Sequence, residues 1–208
     1  MKCLEFAFSQ LDNVNGHNLI LAIGNTGCGK STMLNSLIHG SHVLKEVEHT
    51  DEASNSTLPN GKLKKRKVID IQNDLKNNDE YFFFGIGHSN SKSETFLPAI
   101  HCEEKKDVSW IDIAGLNDTS GDLTHFINSF VTKEIFQRAK NVKFLLPITP
   151  QQIEEQRGKA IRQQIQVVQN LCQGNLDNLI KCMLPVLTKV KVTDTEFDLV
   201  TMQWNMAE

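Results

Sequence analysis

The chain has no apolar run near the roughly 20 residues that cross a bilayer; its longest apolar stretches are strand-sized, so no transmembrane segment is expected. The opening Met1-Lys2-Cys3-Leu4-Glu5-Phe6-Ala7-Phe8 carries Glu5 where a secretion signal needs unbroken apolar chain, so none is read there. Neither sign of charge dominates. A formal net charge of −3 gives no general attraction to nucleic acid or anionic membrane. Cysteine is scarce: Cys3, Cys28, Cys102, Cys172 and Cys182 are odd in number, scattered, and form no C-x-x-C pair. They read as reduced thiols of a cytoplasmic protein. No segment repeats internally. What remains, 208 residues of which 39% are hydrophobic, suits one α/β domain over 1–208 with its core in 17–190.

The informative stretch is Gly24-Asn25-Thr26-Gly27-Cys28-Gly29-Lys30-Ser31, a complete G-x-x-x-x-G-K-[ST] phosphate-binding loop. His17 to Ile23 before it is an apolar run of strand length, and Thr32 to Ile38 after it has helical spacing. That is the setting the motif requires. Gly24, Gly27 and Gly29 permit turns closed to residues with a Cβ, so successive N–H groups converge on an anion. The helix N-terminus adds a partial positive charge. The expected nucleotide contacts are Gly24, Asn25, Thr26, Gly27, Cys28, Gly29, Lys30, Ser31 and Thr32. Lys30 reaches the β- and γ-phosphates, and the Ser31 hydroxyl ligates Mg²⁺. A glycine-rich turn that merely joins a strand to a helix does not account for a match at every position of the motif. Cys28 stands near a helix N-terminus, a setting that lowers a thiol pKa, or is simply a small residue that fits the loop.

Around this loop the pattern is that of strands alternating with helices, which implies a mostly parallel sheet covered on both faces. Leu4, Phe6 and Phe8 alternate with Glu5 and Ala7, and Asn13 to Gly16 reads as a turn, so residues 1–23 are expected to form an N-terminal hairpin. Residues 41–93 are polar and long for a connection, an insertion with the character of a mobile functional loop. Within them Lys67 to Ile71 and Tyr81 to Ile86 are strand-like, with a turn at Leu75 to Asp79. Lys62-Leu63-Lys64-Lys65-Arg66-Lys67 is a basic cluster, read first as a solvated strand edge and second as a contact for acidic lipid, RNA or protein. Further strands are expected at Pro98 to Glu103, Asp107 to Ile113, Val142 to Ile148 and Cys182 to Val190, the last interrupted by Pro185. Phe126, Ile127, Phe130, Val131, Ile135, Phe136 and Ala139 follow helical spacing, as do Ile161, Ile165, Val168, Leu171 and Cys172.

Asp112 ends one of those apolar strands. In a sheet of this kind it stands beside the phosphate loop and can hold the Mg²⁺ hydration shell. Gly115 completes Asp-x-x-Gly, supplying a flexible backbone N–H for the γ-phosphate. The tetrapeptide is weak alone; at a strand end, downstream of a phosphate loop, it signals a GTPase.

Gly24 to Leu37 and Asp112-Ile113-Ala114-Gly115-Leu116-Asn117-Asp118-Thr119 together resemble the immunity-associated (AIG1-type) GTPases, within the wider septin- and dynamin-related class. The resemblance implies a P-loop NTPase three-layer sandwich, with the insertion lying before the second motif. It implies a threonine that closes on Mg²⁺ and the γ-phosphate; Thr95 is the best match, with Thr50, Thr57 and Ser93 as competitors. It also implies a base-reading [NT]-K-x-D, matched here by Thr188 and Lys189 but with Lys191 in place of the aspartate. A lysine cannot accept guanine's hydrogen bonds, and Asp194 is the nearest substitute. Leu116 stands where some small GTPases place a water-orienting glutamine. Arg66, Arg138, Arg157 and Arg162 lie in no motif that marks an arginine finger, and His88 is read first as a solvated or structural histidine and second as a group that orients water. Little chain follows Val190 for the further strand and helix such a fold usually has, so the C-terminal end is expected to be shortened or to continue in something larger.

The function expected from these features is Mg²⁺-dependent GTP/GDP binding with slow hydrolysis. Lys30, Thr95 and Gly115 would act at the γ-phosphate, and Ser31, Thr95 and Asp112 at the metal. The chain would be a switch or a dimerising module, with a homodimer or a protein partner supplying what the site lacks. Two alternatives remain: a binding module with negligible turnover, and an ATPase of the same fold.

Overall fold

The computed structural model describes residues 11–50, 65–76, 78, 81–87, 98–115, 122–155, 158–172 and 176–190. Strand β1 (Asn18–Ala22) is central in a five-stranded sheet of order β4-β5-β1-β6-β7. It runs parallel to β5 (Val108–Asp112) and to β6 (Asn141–Ile148), and β6 runs parallel to β7 (Met183–Leu187). Only β4 (Ala99–Glu103) is antiparallel, at the edge beside β5. Leu44–Thr50 (β2) and Lys65–Ile71 (β3) form a separate antiparallel ribbon.

Alternation along β1 assigns the two faces. Leu19, Leu21 and Ile23 join Ile111, Phe144 and Leu146 in one core cluster. Val131 and Ile135 of α2 (Asp122–Arg138), Val168 of α4 (Lys159–Leu171) and Leu179 of α5 (Leu176–Cys182) cover it. The opposite face, with Ala22 and Leu145, packs on Met33 and Leu34 of α1 (Lys30–His39) and on Phe84. The fold is thus α/β, with a mostly parallel sheet flanked by helices. No helix among the described residues is long and apolar enough to cross a membrane. A short helix α3 (Pro150–Glu154) follows β6; Thr149 caps it in a reciprocal box with Gln152, and Pro150 opens it.

Most expected strands and helices lie where the periodicity puts them; four differences have physical causes. Both edges of β1 are occupied, by β5 and β6, so no preceding strand can be its hairpin partner. The turn at Asn13 to Gly16 does form. Its chain end at Gly16 donates to the Arg138 carbonyl (2.9 Å). Residues 1–10 lie outside the described residues. Tyr81 to Ile86 is not a strand, because a side chain takes the place of a neighbouring ladder: the Asn35 amide donates to the Phe84 carbonyl (2.9 Å) and accepts from the Phe84 N–H (2.8 Å). The last strand begins at Met183, not Cys182, and ends at Leu187, since Leu176–Cys182 is helical. Strand β2 carries charged residues over Lys45, Glu46 and Glu48, which hid it in the sequence; it belongs to a ribbon outside the main sheet and needs little apolar alternation. Lys67 lies in that ribbon, paired with Glu46 (2.7 Å) and exposed, in keeping with the solvated-edge reading of the basic cluster.

Candidate functional site

Three segments meet at the C-terminal end of the parallel strands. The first is the loop between β1 and α1. Gly27 (φ 77°) and Gly29 (φ 93°) take the left-handed conformation that disfavours a Cβ, and Gly29 is the residue from which α1 starts. The first N–H groups of a helix have no intrahelical acceptor, so this start offers donors and the positive end of a dipole. Lys30 is only 7% exposed. Its ammonium donates to the carbonyls of Gly24 (3.1 Å) and Asn25 (3.2 Å), which folds the side chain back over the loop.

The second segment is the end of β5. The ladder sets Asp112 opposite Ala22, two residues before the loop begins. Asp112 is 1% exposed, and its Oδ2 accepts a 2.5 Å hydrogen bond from the Ser31 hydroxyl. A carboxylate with a hydroxyl donor in charge-assisted contact is about twice as strong a pair as a neutral one. Gly115 approaches the loop so closely that a Cβ there would collide with the Thr26 hydroxyl and lie 2.5 Å from the Thr26 nitrogen. The Thr26 Oγ1 is buried and meets no hydrogen-bond partner among the described residues.

The third is the segment after β7. The Thr188 hydroxyl donates to the Cys28 carbonyl (2.7 Å), and the Thr188 N–H continues the sheet to Ile148 (2.9 Å). Lys189 is exposed and sits at φ 55°, in the left-handed region. The sequence candidates Gly24 to Thr32, Asp112, Gly115, Thr188 and Lys189 therefore fall at one end of one sheet. Thr57, His88, Ser93, Thr95, Leu116, Arg157, Lys191 and Asp194 lie outside the described residues. Arg138 is remote, since it ends α2 just before β6 begins, and it pairs with Glu134 at 2.7 Å.

Cys28 does not acquire the acidic thiol that a helix start can give. Burial, at 3% exposure, pushes its pKa up, and the nearby Lys30 charge only partly opposes this. It is a protonated space-filler behind the loop.

Sequence reasoning missed the clamp next to the site. The His39 ring lies edge-on to Tyr81 and Phe83, with its Nε2 2.6 Å from the Phe82 carbonyl. The His101 ring, on β4, stacks on Phe82 at a centroid distance of 5.0 Å. Burial first, and then the neighbouring His39, hold the His101 pKa below its ordinary value of 6.5. With Asn35 these histidines fasten residues 81–84 to α1 and β4. A polar Asn35 within an otherwise apolar helix face was the one available signal.

Chemically, the arrangement combines helix-start donors, a lysine, and two hard oxygens, Ser31 Oγ and Asp112 Oδ2. Hard oxygens of this number suit Mg²⁺, which keeps several waters and takes one or two carboxylates together with phosphate oxygens. A cavity of about 1310 Å³ lies elsewhere, between the sheet and α2, α4 and α5; it reaches Gly115 but none of Gly24 to Ser31. No protein-family model matches the chain, and no curated protein matches it either.

Proposed function

We propose that this chain is a P-loop protein of the three-layer sandwich type that binds GTP with Mg²⁺ and hydrolyses it slowly, as a nucleotide-dependent switch or dimerising module similar to the AIG1-type GTPases. The observation that carries the reading is the Ser31–Asp112 contact: two residues 81 positions apart, expected from the motifs to share a metal, are hydrogen-bonded at 2.5 Å. Lys30, whose ammonium now satisfies the Gly24 and Asn25 carbonyls, swings to the β- and γ-phosphates when nucleotide enters. Ser31 and Asp112 hold Mg²⁺, which when bound neutralises phosphate charge. Gly115, packed on Thr26, has no room to move toward the loop without displacing it, so a γ-phosphate is sensed as a shift of the 112–115 segment. Thr188 fixes the loop from the far side, and the Lys189 stem packs along the purine.

Leu116 and Lys191 favour a second reading, a module that retains nucleotide and turns it over negligibly, because a leucine cannot orient water and a lysine cannot accept guanine's hydrogen bonds. The two readings part on turnover. Under the first, hydrolysis per molecule is slow at low protein concentration and rises with concentration, as a second subunit or partner completes the site; such groups supplied in trans are worth roughly 10³–10⁵ in rate. A rate indistinguishable from spontaneous hydrolysis at every concentration would select the second reading.

A further inference from the structure

Cys172 and Cys182, far from any cysteine motif in the sequence, meet in space. The first ends α4 and the second ends α5, and their sulfurs are 3.4 Å apart, both as free thiols. A disulfide needs about 2.05 Å between sulfurs, so the two thiols must still approach each other for the bond to form. Both residues also line the cavity of about 1310 Å³ beside the sheet, and both are half-buried. Cys102, by contrast, is engaged by the Ser109 hydroxyl (3.2 Å), and Cys28 is buried.

We propose that Cys172 and Cys182 form a redox-closable dithiol that hydrogen peroxide converts to an intramolecular disulfide. The two thiols lose two electrons and two protons, one S–S bond forms, the peroxide O–O bond breaks, and two molecules of water leave. Burial, and then the adjacent Cys172, push the Cys182 thiol up to about 11, against a smaller opposite pull from the Lys143 charge, so it rests protonated at neutral pH. The bond ties α4 to α5 at the residue immediately before β7, the strand whose continuation through Thr188 braces the phosphate loop at the Cys28 carbonyl. The dithiol itself does not depend on whether nucleotide binds there.

The test treats the full chain with stoichiometric hydrogen peroxide, maps peptides without reduction, and follows thermal unfolding. The expected product is a single peptide pair linked through Cys172 and Cys182, lighter by two hydrogens. Its Tm rises by about 5 °C, given the loop-closure gain and the usual Tm response of a chain this size. Dithiothreitol reverses the rise, which is absent from Cys172→Ser and from Cys182→Ala. Accumulation of sulfinic acid on either residue, or disulfides to other cysteines or between chains while circular dichroism stays native, would overturn the proposal. The peptide map of the unsubstituted chain decides the matter even if a variant fails to fold.

Discussion

Lys30, Ser31, Asp112 and Gly115 each carry a separable part of the account. Replacing Lys30 by alanine removes a charge-assisted contact worth about 1.5–3 kcal/mol, so triphosphate affinity should fall at least tenfold while the fold persists. Equilibrium binding of a fluorescent triphosphate checks this; unchanged affinity would detach the lysine from the site. Gly115→Ala meets the Thr26 hydroxyl and backbone nitrogen, both too close for a Cβ. Overpacking of this kind costs about 1–3 kcal/mol, and we expect a lower Tm by calorimetry. A wild-type Tm would show that residues 112–115 yield freely. The His101 ring adds a pH dependence. Its pKa is lowered in the folded chain, so unfolded chain takes up its proton at a higher pH than folded chain does. The stabilising contribution is complete above about 6.5 and is lost as pH falls below it and through the lower value of the folded chain. Of the groups around it, His39 adds to the lowering and Glu103 opposes it. The fall in Tm between pH 7.5 and 5.5 should shrink in His101→Phe, which keeps the stack on Phe82 without the charge. An equal fall would assign the dependence elsewhere.

Among the elements, α1 both begins the candidate site and anchors the aromatic segment 81–84. Asn35→Ala leaves the Phe84 N–H and C=O without their amide partner in a place where Phe84 is 1% exposed. Buried unpaired groups cost about 1–3 kcal/mol, or a few degrees in Tm for a chain of this size. Proteolysis should then cut first near residues 81–87; unchanged Tm and cleavage would mean that the segment is held by its rings alone. This segment also marks where the sequence stopped being legible. Tyr81 to Phe84 has the composition of a strand, but strand pairing is a property of neighbours, and here one asparagine side chain replaces the neighbour. The central strands and α1, by contrast, were legible because β1, β5 and β6 are buried parallel strands bounded by glycine and polar turns, and α1 opens on a motif with fixed geometry. Helix α5 was hidden by its length of seven residues and by its exposed Ile180, which breaks apolar periodicity. The ribbon β2–β3 was half hidden because β2 carries charge at Lys45, Glu46 and Glu48, whereas Val68, Ile69 and Ile71 made β3 readable.

At the scale of the whole molecule, the sheet order β4-β5-β1-β6-β7 puts the ends of β5 and β1 side by side and that of β7 one strand further, across β6, from where Thr188 reaches the Cys28 carbonyl; this is how residues 24–32, 112–115 and 188–189 become one site. The candidate residues there were readable from two motifs, the phosphate loop and Asp-x-x-Gly, and from the partial [NT]-K-x-D match at Thr188 and Lys189. The closeness of Gly115 to Thr26, the Thr188 bond to Cys28 and the raised Cys28 thiol were not, since each depends on how separate strands end relative to one another. Mg²⁺-dependent guanine-nucleotide binding is the claim on which the rest stands. Calorimetric titration of the purified chain with GTP and with ATP, each in Mg²⁺ and in excess chelator, tests it most directly. The account predicts saturable GTP binding that weakens on chelation and exceeds ATP binding by less than a paired carboxylate would give, because Lys191 stands in the sequence where the resemblance implies the base-reading aspartate. Absence of binding to either nucleotide, binding indifferent to Mg²⁺, or equal or tighter binding of ATP would contradict it.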